Sequence, residues 1–245
     1  MPKCIIKDGK NITNQEEIAE NFNKYFSTIA SSILKDRKYE GNKTFRDFLN
    51  SPNAQSLAFS PVTEAEVINI IYKFKQNKAS GPYSVQIQIL HCTHDILCGP
   101  LSKIINMSFT TGIHPNNLKI SETIPVFKKG SRLSISNYRP ISLLSNLNKI
   151  FEKVIFNRVY DFLENHKILY EHQYGFRKQH STTHALINIT EKIRGALDNK
   201  LMAFGIFIDF QKAFDTVNHN ILIRKLDHYG IRGCVNNWFL SYLSD

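Results

Sequence analysis

The stretch FGIFIDFQKAFDTVNH, residues 204–219, contains two aspartates that could bind a metal ion. Asp209 lies at the end of an apolar run of strand length, and Asp215 follows six residues later. A carboxylate at the end of a rigid strand projects into a cleft, which suits a Mg²⁺ ligand. Position alone favours the alternative, a capping or turn aspartate, and Asp215 could cap the next helix or form an ion pair with it. Two-metal catalysis also needs carboxylates from at least two segments, and this segment is one.

A basic turn is the second candidate site. In FKKGSRLSISNYRP, four cationic residues surround a glycine between two strand-like runs. Lysine offers a point charge and arginine a bidentate fork, so such a turn could bind a triphosphate or a nucleic-acid backbone. The alternative is an ordinary solvated turn. The four residues are Lys128, Lys129, Arg132 and Arg139.

Aromatic residues beside a glycine form a third candidate site. In QYGFRKQHSTTHAL, Tyr174, Phe176 and Arg177 could stack on a nucleic-acid strand or clamp it. Packing of the same aromatic side chains inside the protein explains the pattern equally well. The sequence leaves both interpretations open.

A histidine and cysteine group at helical spacing suggests zinc, but the pattern is incomplete. His91, His94 and Cys98 fall on one face of a helix in HCTHDILC. Structural zinc sites take four ligands in paired spacings, and no second pair is obvious in the sequence. We therefore do not predict a zinc site here.

The composition favours a polyanionic partner. The chain has 245 residues, with 31 Lys and Arg against 21 Asp and Glu, for a net charge of +10. On charge alone, nucleic-acid binding and a basic globular protein without that role explain this excess about equally well. The four cysteines form no C-x-x-C pair, and no signal peptide or run of about 20 apolar residues occurs. We predict a protein of a reducing compartment, cytosol or nucleus, without a membrane partner.

The elements that would position these sites follow from apolar periodicity. Helices come first and strands with helices later, which indicates an α+β fold. The apolar run LMAFGIFIDF, residues 201–210, predicts a central strand covered on both faces. Two β-type runs flank the basic turn. Helices are predicted within residues 13–34, 60–78, 97–112, 146–169, 181–199, 218–230 and 234–245. The predicted N-cap residues are Thr13 or Asn14, Thr63 with a capping box to Glu66, and Ser181 or Thr182, and two helices are predicted to end at Gly112 and Gly230.

Four segments, taken in order, resemble the reverse transcriptases of non-LTR (LINE-type) retrotransposons, in particular those of jockey-like animal elements. Each segment is moderately specific alone, whereas four in this order and spacing are strongly specific. The resemblance extends from DGKNITNQEEIAENFNKYF to the end of the chain. The segments are NKASGPYSVQIQIL, IPVFKKGSRLSISNYRPISLLSNLNKIFEKVI, QYGFRKQHSTTHAL and FGIFIDFQKAFDTVNHNILIRKLDHYGI.

This resemblance implies an RNA-directed DNA polymerase, with template RNA, a DNA primer, dNTP and two Mg²⁺ ions as partners. Asp209 corresponds to the first metal-binding, catalytic aspartate of the palm. Phe210 matches the position whose backbone amide faces the triphosphate, and Phe214 matches the aromatic steric gate that excludes a 2′-hydroxyl. Asp215 belongs to the motif without an assigned role.

The remaining implied contacts lie on the two other candidate sites. The basic turn corresponds to fingers residues that bind the incoming nucleotide, and the glycine segment lies in the template-side region. The predicted dNTP contacts are Lys128, Lys129 and Arg139, and the predicted nucleic-acid contacts are Arg132, Gly175, Phe176 and Arg177.

The implied architecture is a right-hand polymerase fold in part. A helical N-terminal extension and linker would cover residues 1–60, a fingers-like region 61–200, and the first part of the palm 201–245. The family's later blocks, the P-Q-G-S segment, the Y-A-D-D turn and the thumb, would come after Asp245, and an endonuclease would come before Met1. We therefore expect that this chain does not polymerise unaided.

The sequence also departs from the family within the matched segments. Tyr83 and Gln86 replace an acid and a proline in ASGPYSVQ, and Leu118 stands where a Trp is usual. These departures suggest a loosened loop or a decayed copy. Two alternative functions follow: a non-catalytic RNA-binding remnant, or an unstable pseudogene product with unpaired sheet edges.

Overall fold

The computed structural model describes residues 2–35, 43–75, 80–82 and 85–244. Along these residues, helices are combined with two small antiparallel sheets, so the α+β prediction is confirmed. Short 3₁₀ helices cover Phe45–Phe48 and Ile135–Asn137. The helices are α1 (Gln15–Lys35), α2 (Glu64–Tyr72), α3 (Ile87–Thr111), α4 (Asn116–Lys119), α5 (Asn146–Asn165), α6 (Thr182–Asp198), α7 (His219–His228) and α8 (Gly233–Leu243). The strands are β1 (Ile5–Lys7), β2 (Lys10–Ile12), β3 (Ser121–Phe127) and β4 (Tyr138–Leu144).

The chain divides into two compact units. The first comprises residues 1–159 and 212–245, and the second comprises residues 160–211. The predicted division at residues 60 and 200 is a functional one, and it stays a prediction.

The main core of the first unit joins four helices. Apolar faces of α2, α3, α5 and α8 meet around Ile71, Ile105, Phe151 and Trp238, each of which is almost fully buried. The Thr63 hydroxyl caps α2 as predicted, by accepting a hydrogen bond from the Glu66 amide at 3.2 Å. The expected capping box is incomplete, because Arg158 of α5 binds the Glu66 carboxylate with two nitrogens.

A buried polar group lies within this core. His114 is fully buried, and the rings of Phe151, Trp238 and Tyr242 approach it edge-on at 5.1–5.6 Å. Neither of its ring nitrogens has a hydrogen-bond partner in the described part of the chain. Burial lowers the pKa of His114 to about 4, with the nearby Asn148 opposing the shift.

A second, smaller core forms at the N-terminus. The β1–β2 hairpin and α1 bury Ile5, Ile18 and Phe22 against Tyr138 of β4. Asn14 caps α1, as one of the two predicted candidates, by accepting a hydrogen bond from the Glu17 amide at 3.0 Å.

Most other helix predictions are confirmed, with shifted ends. Helix α3 begins ten residues before the predicted start, and Gln86 is its N-cap residue. It ends as predicted at Gly112, whose φ of 68° is the left-handed conformation that terminates helices. Ser181 caps α6, and α7 is closed by Gly230 with φ 96°. Leu118 packs against the main core, while Tyr83 lies outside the described residues.

The predicted central strand is wrong in this structure. Residues 201–210 adopt no regular secondary structure, and Phe204, Ile206 and Phe207 are 88–89 % exposed. A central strand needs a neighbour on each side to satisfy its backbone amides and carbonyls. The two sheets of the described residues, β1–β2 and β3–β4, do not include this segment. The apolar run therefore has strand composition without strand pairing.

Among the described residues, no helix is both long enough and apolar enough to cross a membrane.

Candidate nucleotide and nucleic-acid site

The β3–β4 hairpin carries the predicted basic turn. Its strands pair antiparallel, with Phe127 opposite Tyr138 and Val126 opposite Arg139. Phe127 and Tyr138 face the N-terminal core. Because side chains alternate along a strand, Arg139 points to the opposite, exposed face. The hairpin thus buries one face and presents Arg139 on the other.

Hydrogen bonds fix the loop of the basic turn, residues 128–137, which connects β3 to β4. The Lys128 amide donates to the Asn137 carbonyl at 2.9 Å, which extends the ladder beyond the strands. The Asn137 side chain donates to the Ser131 carbonyl at 2.9 Å. Gly130 has φ 88°, and a Cβ there would lie 2.8 Å from the Asn137 amide nitrogen. The turn therefore requires glycine at this position for its dihedral angle, and a larger residue would also displace the Asn137 side chain.

The cations of the turn are exposed. Lys128, Lys129, Arg132 and Arg139 are all solvent-exposed, and no acidic side chain of the described chain forms an ion pair with them. The Arg132 guanidinium also contacts a ring, 5.0 Å from the centre of Phe127. Such unneutralised charge on a fixed turn attracts phosphate.

Two other segments support the hairpin from outside it. The Ile6 amide of β1 donates to the Leu133 carbonyl at 2.8 Å, which joins the N-terminal hairpin to the basic turn. Gly81, in the ASGP loop, lies so close to β4 that a Cβ would overlap the backbone of Leu143. The Asn146 side chain donates to the Val85 carbonyl at 2.9 Å. Gly81 and Val85 of the resemblance motif thus lie against the end of β4 and the start of α5.

The second unit holds Arg177 in an internal ion pair. Its guanidinium makes two 2.8 Å contacts to Glu164, one to each carboxylate oxygen, and donates to the Tyr170 carbonyl at 3.0 Å. The Tyr160 hydroxyl donates to Glu164 at 2.7 Å and accepts from the Lys178 amide at 2.9 Å. Hydrogen bonds from Arg177, and then from Tyr160, lower the pKa of Glu164 to about 2.

This ion pair fixes the predicted template-side segment. Phe176 is 87 % exposed with φ 61°, and Gly175 is exposed beside it. The Arg177 side chain is turned toward Glu164, at 14 % exposure. Glu164 and Tyr160 are not among the residues predicted from the sequence. Their spacing of four on a helix is compatible with a contact between them, but no local pattern links Glu164 to a residue 13 positions away.

The aspartate motif is exposed in this structure. Asp209 and Phe210 belong to the second unit, and Phe214 and Asp215 belong to the first. Phe210 is 71 % exposed and Phe214 is 78 % exposed. Asp209 caps no helix, because the next helix begins at His219. Capping by Asp215 is also wrong, since Asn218 caps α7 by accepting from the Ile221 amide at 3.1 Å.

The described residues do not supply a complete metal site. No group of three or more His, Cys, Asp or Glu side chains in the described ranges is arranged to hold an ion. Divalent ions are general cofactors of the family that the motifs indicate, and the metal-binding role predicted for Asp209 stays a prediction. Of the zinc-like group on α3, Cys98 is buried in the main core, and His94 contacts the Tyr72 hydroxyl at 3.1 Å.

Comparison with known proteins agrees with the motifs. Residues 126–244 match the family described as reverse transcriptase (RNA-dependent DNA polymerase). The chain is 31 % identical to a probable RNA-directed DNA polymerase from transposon BS of Drosophila melanogaster, over 97 % of the chain and 26 % of that protein. It is 35 % identical to the RNA-directed DNA polymerase from mobile element jockey of the same species, over 73 % of the chain and 20 % of the relative.

A further relative shows the same pattern in another species. The corresponding jockey protein of Drosophila funebris is 33 % identical over 72 % of the chain and 19 % of its own length. The chain thus spans about a quarter or less of the length of these relatives. These matches and the ordered motifs place the chain in the reverse transcriptase family, as a domain homologous to the RNA-directed DNA polymerases of jockey-like non-LTR retrotransposons.

Proposed function

We propose that this chain forms the nucleotide- and template-binding part of an RNA-directed DNA polymerase that extends a DNA primer on an RNA template. The observation that carries the proposal is its similarity to a transposon polymerase along 97 % of the chain. In this proposal, residues 61–200 act as the fingers and residues 201–245 as the first part of the palm. The extension at residues 1–60 supports the fingers.

The basic turn binds the triphosphate of the incoming dNTP. Lys128 and Lys129 place two charges beside each other, and Arg139 offers a fork to phosphate oxygens from the exposed face of β4. Charge that develops on a transferring phosphoryl group is stabilised by such fixed cations. Arg132, at the same turn, contacts the nucleic-acid backbone.

The aspartate motif selects and orients the nucleotide. The Phe214 ring lies under the sugar and excludes a 2′-hydroxyl, and the Phe210 backbone amide faces the triphosphate. Asp209 donates one carboxylate to Mg²⁺, which supplies charge neutralisation at the phosphates when it is bound. We assign these residues the binding and orientation of the nucleotide.

Nucleotide binding tests the proposal directly. We expect a fluorescent dATP analogue to bind the purified chain, and we expect the Lys128→Ala/Lys129→Ala variant to bind it at least about tenfold more weakly, because charge-assisted hydrogen bonds contribute about 1.5–3 kcal/mol each. The matched control is Lys24→Ala, which removes an exposed lysine from α1. Equal affinities in the double variant and the wild type would contradict the proposal.

Discrimination between sugars provides an independent test of the gate. We expect the wild-type chain to bind dATP more tightly than ATP. In Phe214→Ala the ratio of the dissociation constants for ATP and dATP should be smaller. If Phe214→Ala leaves the ratio of the two dissociation constants unchanged, the gate assignment is wrong, even if the basic turn binds phosphate.

A further inference from the structure

Five aromatic side chains of the second unit contact each other in sequence. Ring centres are 5.3 Å apart between Tyr170 and His172, and 6.4 Å apart between His172 and Tyr174, whose planes are stacked at 23°. The series continues from Tyr174 to His180 at 6.0 Å and from His180 to His184 at 6.5 Å. We call these five side chains the ring row.

The ring row is accessible at both ends. Tyr170 is 68 % exposed, and His184 is exposed on the first turn of α6. The three rings between them are half-buried. Exposed and partly exposed aromatic rings in series present a surface that can accept other flat, apolar rings.

The backbone that carries the rings is braced. Arg177 donates to the Tyr170 carbonyl, while Glu164 binds the same guanidinium. The backbone N–H of Gln173 also donates to the Tyr170 carbonyl, at 2.9 Å. His180 Nδ1 lies 2.9 Å from the Lys178 carbonyl, and Ser181 caps α6 directly afterwards. A pre-ordered surface loses less conformational entropy when a ligand binds.

The charge around the ring row is balanced, unlike that of the basic turn. Arg177 pairs with Glu164, and Lys178 lies 3.7 Å from Asp161. The region therefore offers ring faces and imidazole nitrogens rather than net positive charge. Between residues 160 and 184, Lys167, Arg177 and Lys178 are matched by Asp161, Glu164 and Glu171.

We infer that the ring row is a stacking platform for unpaired bases of single-stranded nucleic acid. Every base has a π-face that can stack on an aromatic side chain, so such platforms bind single strands with little sequence preference. Bases inside a duplex are already stacked on each other and do not reach the rings. The inference deepens the template-binding part of the proposed function, because it names the surface and the strand form that is bound.

Fluorescence anisotropy with labelled oligonucleotides tests the inference. The probes are an oligouridine RNA, the matching oligothymidine DNA and a blunt RNA duplex. We expect Tyr174→Ala to weaken binding of both single strands about tenfold, because stacking on one aromatic side chain contributes about 1–3 kcal/mol per base. Tyr174→Phe keeps the ring and should bind as the wild type does. Duplex affinity should be unchanged in both variants.

Two controls keep the test decisive. Tyr170→Ala removes another ring of the row and leaves its backbone carbonyl in place, so it replaces Tyr174→Ala if that variant does not fold by circular dichroism. Phe48→Ala removes a 70 % exposed aromatic side chain of the first unit and should not change the affinity. Wild-type affinity in both tyrosine variants, or an equal loss of duplex binding, would overturn the inference.

The outcomes separate this inference from the proposed function. Suppose that Tyr174→Ala and Tyr170→Ala bind single strands normally, while Lys128→Ala/Lys129→Ala no longer binds dATP. The ring row is then excluded as the surface that binds single strands, and the proposed function stands. If the wild-type chain binds dATP but no single strand, the ring row is likewise excluded. If it binds neither dATP nor single strands, both proposals fail.

Discussion

The basic turn and the region of the ring row both contain predicted nucleic-acid contacts, but their cations are arranged differently. The turn exposes its cations at the end of a hairpin that packs one face against an apolar core. In the region of the ring row, Arg177 and Lys178 are paired with Glu164 and Asp161, and aromatic rings are exposed instead. The net charge of +10 therefore does not locate the ring row, for which we propose nucleic-acid binding.

The difference follows from how each region is supported. A hairpin with one buried face can leave the other face charged, because packing holds its shape. The loop that carries the ring row has few buried apolar residues, so an ion-pair network around Glu164 holds it. Charge in this loop is structural, whereas charge on the basic turn remains available to a ligand.

The largest expected effect comes from removing the apolar support of the basic turn. Phe22→Ala deletes a ring that is 3 % exposed and contacts the Tyr138 ring at 5.1 Å. We expect it to lower the free energy of unfolding by about 3–5 kcal/mol, measured by urea denaturation. The control on the same helix, Leu34→Ala, removes a 43 % exposed side chain and should change stability by less than about 0.5 kcal/mol. Similar effects of the two variants would show that the N-terminal core does not support the hairpin.

Two glycine-to-alanine variants, one in each unit, compare the space around the backbone at Gly81 and at Gly175. Gly81→Ala forces a methyl group into the backbone of Leu143 and should destabilise the first unit by about 1–3 kcal/mol. Gly175→Ala has no atom within 4 Å of the added Cβ, so its melting temperature should match that of the wild type. A tolerated alanine at Gly81 would contradict the close approach of the ASGP loop to β4.

Acid titration should unfold the two units in different pH windows. His114 has its pKa lowered from 6.5 to about 4 by burial, so the unfolded state takes up the proton first, and the first unit loses stability as pH falls between these values. Glu164 has its pKa lowered from 4.5 to about 2 by Arg177 and Tyr160, so its contribution is present above 4.5 and is lost as pH falls toward 2.

Variants assign the two windows to the two groups. Stability against urea is measured as a function of pH, with hydrogen exchange reporting on each unit. In His114→Phe the loss of stability between pH 6.5 and about 4 should disappear, and in Glu164→Gln the loss between pH 4.5 and about 2 should disappear. A single window that both variants shift equally would show that the units unfold together.

The sequence predicted the features that depend on short-range pattern. Strand alternation and glycine located the basic turn, and side-chain caps at Asn14, Thr63 and Ser181 located helix starts. The strand at residues 201–210 was wrong because strand formation depends on partners, which composition does not reveal. The Glu164–Arg177 pair arises where a loop folds back, so no periodicity indicates it.

Salt dependence of RNA binding tests most directly the claim that charge acts at the basic turn and stacking acts at the ring row. Log K for the oligouridine RNA should fall linearly with log[salt], with a slope of about −0.7 for each phosphate neutralised on a single strand. We predict that Arg132→Ala makes this slope shallower by about 0.7, while Tyr174→Ala lowers the affinity without changing the slope. An unchanged slope in Arg132→Ala, together with a shallower slope in Tyr174→Ala, would contradict the account.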